Sequence, residues 1–445
     1  MRMKILNGYK KPSAAKGTTI LKTEPFVFVL RSLLRYERCD HCLLSSEKLS
    51  KCSGCDYVSY CNRNCQKESW KIHKVECPNL KRMGPKVLTD SARLMARIII
   101  KLNQGGHNER DFYSETSFRK FKDLMSHYPN IKKHEKRMEH FVCLCALIYD
   151  FLRDVTIPNT SELMGIYGRI CTNSFNILDN DMNSIGVGIY LGPSIMDHSC
   201  KANAVVIFEG TTIIIRAIED IPCLDWSLVR MSYIDVLKST SERMDELQKF
   251  YYFQCDCERC KCPPAEENAA ACQNTSCSFP CDSSISNCPE CGAKFASNFA
   301  NTFKEVTEFT AHHLQTMKDM AYLDVSKLCL KKQEGVLHPF NVLHVRTIET
   351  AFTAASKLQY WNDAEFYADK LVPGYKMYYG LVHPLTGIHY LAIGKIKLLL
   401  EKPKEALVAL RIAGEILAVT HGEKHSLVRE VLKPFLLQAM METRE

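Results

Sequence analysis

Apolar residues in the middle of this chain come in short runs broken by turns. Ile185-Gly186-Val187-Gly188-Ile189-Tyr190 is followed by a turn, and two alternating or apolar runs then occupy residues 204–208 and 211–218. Glu209-Gly210 between them predicts a β-hairpin. A shorter run, 227–233, ends in Tyr233. This is a fold of short strands, not a parallel βαβ pattern. After residue 300 the period changes. Gly335-x2-His338-Pro339, Gly380-x2-His383-Pro384 and Gly422-x2-His425-Ser426 recur at spacings of 45 and 42. Ala364 and Ala406, also 42 apart, each open a helical run after a turn. Such a period predicts stacked helical hairpins, each burying its face only against its neighbours and together leaving a concave surface. His338, His383 and His425 stand beside Gly and Pro at helix starts, so they read as turn and capping residues rather than metal ligands.

At 445 residues the chain exceeds one ordinary core, and two or three lobes follow. The nearest candidates for a membrane span, Phe26 to Leu30 and Ile98 to Ile100, are short and fall far below the ~18–20 apolar residues required. Met1-Arg2-Met3-Lys4 leads into no apolar signal region. No membrane partner is expected, and the expected location is cytoplasmic and nuclear. Residues 1–140 carry 29 Lys/Arg against 14 Asp/Glu, a net +15, within a chain of net +8. A basic front half attracts acidic partners, weakly binding DNA among them. Segments such as Lys132-Lys133-His134-Glu135-Lys136-Arg137 read equally well as solvated helix faces.

The 22 cysteines change the picture most. They come in tight pairs, as zinc ligands do, whereas disulfide frameworks belong to small secreted domains. Cys39-x2-Cys42, Cys52-x2-Cys55, Cys61-x3-Cys65 and His73-x3-Cys77 supply eight ligands, enough for two closed tetrahedral sites. If the pairs alternate, Cys39, Cys42, Cys61 and Cys65 hold one ion, and Cys52, Cys55, His73 and Cys77 the other. Interleaving would let some forty residues fold with almost no core. Tyr60 and Trp70 are positioned to cover the sites. Cys255-x-Cys257-x2-Cys260 lacks a fourth ligand, for which Cys200 is the candidate. Cys272, Cys277, Cys288 and Cys291 have zinc-ribbon spacing and form a further candidate site, the alternative being free thiols in a loop. Cys143, Cys145, Cys171, Cys223 and Cys329 lie in apolar surroundings and read as core residues.

The spacing from Cys39 to Cys77 resembles the MYND zinc finger, a module that mostly binds proline-rich peptides. Asp197-His198-Ser199-Cys200-x2-Asn203, a tyrosine some thirty residues on and the Cys-x-Cys-x2-Cys tail together resemble a SET-domain lysine methyltransferase. Finger, SET core and tail in this order, with a helical C-terminal lobe of tetratricopeptide-like type, resemble the SMYD family over roughly residues 16–445. The implied fold is α+β and multidomain. It comprises an atypical N-terminal SET part (1–38), the MYND finger (39–77), a helical insert (78–165), the core SET β-fold (166–240), a zinc-bound post-SET segment (241–295) and an all-α lobe (296–445). The implied activity is S-adenosylmethionine-dependent N-methylation of lysine in histone or other proteins, by a monomer carrying three or four zinc ions.

The resemblance also implies roles for single residues. Tyr233 would orient the lysine and stabilise the transferring methyl group, and Tyr251 and Phe175 would line the lysine channel. His127, Asn173, Ser194, Asp197, His198 and Tyr233 would hold the cofactor, with Phe253 stacking on its adenine. Three positions depart from the family pattern. Asp197 replaces the usual Asn, Met125 stands where some relatives have an acidic contact, and Cys223-Leu224-Asp225-Trp226 replaces Gly-Glu-Glu. The family's opening Arg-Gly-x-Gly is missing from residues 1–11, where Lys4, Lys10 and Lys11 are the candidate substitutes, and Lys16-Gly17-Thr18-Thr19-Ile20 resumes the pattern. The competing reading is a catalytically weak or inactive SET-MYND adaptor in transcriptional regulation.

Overall fold

The computed structural model describes residues 13–316 and 322–443. Lys4, Lys10 and Lys11 therefore lie outside the described residues. The chain forms two compact units, one made of residues up to 197 with 206–231 and 248–253, the other of 198–205, 232–247 and 254 onward.

In the first unit, short apolar-rich runs form two three-stranded sheets. Thr19–Thr23 pairs with Thr212–Ala217, which pairs in turn with Ala204–Glu209. The predicted hairpin is thus present, with Gly210 turning at φ 62°. Ser184–Ile189 lies between Val27–Leu30 and Ser174–Leu178, in a register that puts Gly188 opposite both Phe28 and Phe175. The run 227–233 is shorter than its pattern suggested, since only Arg230–Met231 is strand. Gly17, at φ 83°, donates its N–H to Ala217 O and starts the first strand.

Residues 98–100, among the most apolar in sequence, sit inside the helix Asp90–Asn103 and are wholly buried. No helix among the described residues is long and apolar enough to cross a membrane. In the helix Glu135–Phe151 the buried stripe is Phe141, Leu144, Ile148 and Phe151, at spacings of three and four. That periodicity leaves Cys143 exposed and Cys145 half-buried, and Cys171 and Cys223 are half-buried too. Of the five cysteines expected in cores, only Cys329 is buried.

The second unit is mainly helical. Leu323–Gln333, Val342–Lys357, Trp361–Tyr378, Pro384–Leu399 and Pro403–Thr420 follow one another with short turns, then a π-helical stretch Leu427–Leu432 runs into Lys433–Glu442. Ala364 and Ala406, the repeat positions, are both fully buried. Close helix crossings rest on glycine: a Cβ on Gly394 would lie 2.5 Å from Leu410. The three repeat histidines act alike. Nδ1 of His338, His383 and His425 accepts the backbone N–H two residues on, from Phe340, Leu385 and Leu427 respectively, each at 3.2 Å. The sequence expectation of turn and cap roles holds.

Candidate zinc centres and active site

The finger begins as a hairpin, Ser50–Lys51 with Ser59–Tyr60, and continues as the helix Arg63–Met83. The side chain of Asn62 caps that helix by accepting from Cys65 N at 2.8 Å. The helix carries Cys65, His73 and Cys77, the last two one turn apart on one face. The ligands converge in the alternating arrangement: Cys39, Cys42, Cys61 and Cys65 in one group, Cys52, Cys55, His73 and Cys77 in the other. Cys42 and Cys61 sulfurs are 3.7 Å apart, and Cys52 and Cys77 sulfurs 3.8 Å apart. Four sulfurs at ~2.3 Å around a tetrahedral ion stand about 3.8 Å from one another, so the donor sets fit zinc.

Crowding splits the thiols. The hydrogen bond with Cys42 brings Cys39 down to about 5 and drives Cys42 up. Burial together with Cys61 pushes Cys65 up to about 12. A divalent cation is what lets all four ionise together. His73 turns Nε2 to Cys52 and Cys55, at 3.4 and 3.7 Å, which makes Nε2 the metal-facing nitrogen. Its Nδ1 lies 3.6 Å from Glu76 Oε2. Tyr60 covers this group from the buried side, its ring 6.0 Å from that of His73. Trp70 also approaches His73, at 5.8 Å, but remains largely exposed.

Behind both groups lies a buried charge network with no signal in sequence. Asp40 and Glu76, next to the ligands Cys39 and Cys77, each receive hydrogen bonds from both Arg93 and Arg97, at 2.6–3.2 Å. Burial alone would raise both carboxyls. The two guanidiniums outweigh it and hold Glu76 well below the carboxylate range, with Asp40 lowered as well. Arg97 also donates to Phe28 O at 2.7 Å, tying the finger to the edge strand Val27–Leu30.

Cys200, Cys255, Cys257 and Cys260 form a third group, in which the fold brings the distant Cys200 to the three-cysteine tail; its sulfur is 3.6 Å from that of Cys260. The fully buried Arg243 reaches the Cys260 sulfur at 4.0 Å, a positive group beside thiolates that sequence reasoning missed. In the same unit His198 binds Tyr233. The Tyr233 N–H donates to His198 Nδ1 at 3.0 Å, and the two rings are 5.4 Å apart. Because Nδ1 accepts, the ring proton is on Nε2, which is 3.3 Å from the Cys200 sulfur. One imidazole thus joins a metal ligand to the backbone of the candidate catalytic tyrosine.

The first unit gathers another set. His127 and Tyr252 are both non-glycine residues in left-handed backbone, at φ 46° and 64°, and their rings meet at 5.2 Å. The Tyr252 hydroxyl is buried without a hydrogen-bond partner among the described residues. Strain at both residues and an orphaned buried hydroxyl are features of ligand sites. The sequence points to Tyr251 and Phe253 and carries no sign of Tyr252 between them, because a left-handed backbone at a tyrosine leaves no mark in an amino-acid sequence. Asn173 donates its amide to Met125 O at 2.8 Å, stitching the end of the helix Thr160–Asn173 to the segment before His127. What it can offer a ligand is its carbonyl oxygen. Gly168 permits this approach, since a Cβ there would be 2.0 Å from Ser126 O.

The Ser194 hydroxyl donates to Leu191 O and accepts from Arg119, so its part is to hold the loop. Asp197 pairs with Arg230 at 2.7 Å, which offsets the charge it has in place of the family's Asn. Phe175 packs edge-on against Tyr190, with centroids 5.6 Å apart. In the departing segment, Trp226 packs against Tyr113, and Asp225 accepts from Ser227. Tyr251 ends the helix Thr240–Tyr251, and Tyr251 and Phe253 belong to the first unit, whereas His198 and Tyr233 belong to the second.

Interleaved zinc groups, a short-stranded β-domain, a three-cysteine tail closed by a distant cysteine and a helical repeat together define a zinc-binding protein of SET–MYND architecture. The MYND finger model matches residues 39–77. The chain is 28% identical over 423 residues to the histone-lysine N-methyltransferase SMYD3 of Homo sapiens, covering 94% of this chain and 91% of that protein. It is 29% identical over 435 residues to the histone-lysine N-methyltransferase ASHR1 of Arabidopsis thaliana (93% and 89%). It is likewise 29% identical over 422 residues to the N-lysine methyltransferase SMYD2-A of Xenopus laevis (95% and 94%). Over nearly its whole length the chain is thus similar to lysine methyltransferases of the SMYD type.

Proposed function

We propose that this protein is an S-adenosylmethionine-dependent protein-lysine N-methyltransferase acting on histone or other protein substrates in nucleus and cytoplasm. The observation that carries the reading is the join of Tyr233 to His198 and of His198 to Cys200. A tyrosine needed to orient a lysine amine is anchored through its own backbone to a metal-ligand group. The relatives' activities and the near-complete coverage of their chains support it.

Bound cofactor would supply a methyl group on a sulfonium sulfur for a neutral lysine amine to accept. Its fit rests on the strained His127–Tyr252 pair with its orphaned hydroxyl, on Asn173 Oδ1 and on the loop held by Ser194. Asp197, balanced by Arg230, would receive the cofactor's amino group, and Phe253 would stack on the adenine. Tyr251 and Phe175 would form aromatic channel walls, which favour a cationic or methylating amine over a hydrated one. Tyr233 would hold the amine in line through its hydroxyl. The zinc ions have closed ligand sets and serve structure, and the finger would dock proline-rich peptides.

Tyr233→Phe should keep the fold and the zinc content while cutting methyl transfer by at least ~100-fold. Unchanged turnover would remove Tyr233 from the mechanism. Calorimetry on the wild-type protein tests the cofactor directly, and absence of S-adenosylmethionine binding at high micromolar ligand would overturn the reading.

A further inference from the structure

Residues 272–291 contain little that could fold by burial. Cys272, Cys281 and Cys288 are the buried apolar residues, with Phe279, Ile285, Ala293 and Phe295 only half-buried around them. Yet the segment has a definite form. Two knuckles, Cys272-x4-Cys277 and Cys288-x2-Cys291, bring four sulfurs within 4.8 Å of one another. Cys272 and Cys291 are 3.5 Å apart, and Cys277 and Cys288 are 3.9 Å apart. These are the separations around a tetrahedral zinc, nearly twice a disulfide length. The second knuckle is closed as metal knuckles are, by Gly292 at φ 73° donating to Cys288 O at 2.9 Å.

This loop is fastened to one place. Ala270 and Cys281 exchange both backbone hydrogen bonds, at 2.8 and 3.1 Å. Ala271 N donates to Val336 O at 2.9 Å, and His338 N donates to Ala269 O at 3.1 Å. Asn341 Nδ2 adds a bond to Ala269 O at 3.0 Å while its Oδ1 caps the helix Val342–Lys357. His338, whose Nδ1 accepts from Phe340, places Nε2 3.0 Å from Ser278 O, between the two knuckles. With Nδ1 accepting, Nε2 is the donor. The turn 335–341 is the first of the three repeat turns, and the ribbon is wired to it through both backbone and side chains.

We infer that Cys272, Cys277, Cys288 and Cys291 bind a fourth zinc ion, and that the resulting ribbon clamps the first turn of the helical repeat through Ala269–Ala271 and His338. A metal provides the fold where core residues are too few. The inference does not depend on methyl transfer.

Metal analysis of the purified wild-type chain tests it without any variant: four zinc ions per chain are expected, and three would overturn the site. The Cys288→Ser/Cys291→Ser pair should lose one zinc and keep the others, with amide exchange protection falling at Ala270, Ala271, Cys281 and His338. Loss of zinc with protection unchanged at those amides would overturn the clamp. Should that pair not fold, His338→Ala is the second probe. It should retain four zincs yet lose protection selectively at Cys281 and its neighbours, and full protection there would overturn the role given to His338. Cys281→Ser, outside the ligand set, should keep all four ions; loss of one would overturn the ligand assignment.

Discussion

The backbone N–H of Tyr233 is held by His198 Nδ1 at 3.0 Å, and the same imidazole turns its other nitrogen to the Cys200 sulfur at 3.3 Å. The main chain of the tyrosine is therefore held by an imidazole that also contacts a sulfur of the third cysteine group. His198→Ala should leave zinc content unchanged, because Cys200 still ligates, and should lower kcat by about 10–100-fold through misplacement of Tyr233. His198→Asn, which can still accept the Tyr233 N–H, should recover part of that loss. Steady-state kinetics with metal analysis checks both, and equal activities for the two variants would count against positioning through Nδ1.

Arg93 and Arg97 between them neutralise Asp40 and Glu76 inside the finger's core. Arg93→Met would leave two buried carboxyls sharing one guanidinium, at a cost of about 3–5 kcal/mol. Both carboxyls have lowered folded-state values, so their contribution is present above the ordinary value of 4.5 for Glu76 and fades as pH falls below it. Denaturant unfolding should show the gap between wild type and variant narrowing below about pH 4.5.

Gly168→Ala should act on the site of His127 rather than on the zinc groups. The added methyl would meet Ser126 O at 2.0 Å, and the segment 125–127 must shift. A loss of about 1–3 kcal/mol and of S-adenosylmethionine binding is expected, with zinc unchanged. Gly165→Ala is the control: on the same helix its Cβ meets only the Arg169 guanidinium, at 3.1 Å. Calorimetry on the two variants distinguishes them.

Glu349 gives the helical unit a pH dependence of opposite sign. Burial raises its carboxyl to about 7, against the hydrogen bond it accepts from Tyr375 and with the help of nearby Asp235. A raised acid favours the folded state when protonated. The unit should be most stable below about pH 4.5 in respect of this group and lose roughly 1–3 kcal/mol as pH rises through 7. Glu349→Gln should flatten that slope in thermal unfolding measured between pH 5 and 8.

Local spacing determined much of this protein. Ligand pairs two to five residues apart, the Glu209-Gly210 hairpin and the 42-residue helical period are short-range patterns, and each appears in the structure where the sequence put it. Spacing left open whether the finger's ligand pairs alternate and which distant cysteine completes the tail. Those were decided by the fold, which brings Cys200 to Cys260 across sixty residues. Nothing local marked Arg93 and Arg97 as buried, because their partners Asp40 and Glu76 lie 17 to 57 residues away. Tyr252 was hidden for a different reason: its significance lies in a left-handed backbone and a buried, unpartnered hydroxyl. The apolar neighbours of Cys143 misled because a helix buries one stripe, not one stretch of sequence. Metal ligands are legible because coordination demands particular atoms at short range. Buried charge and strain are not, because they exist only once distant segments have packed.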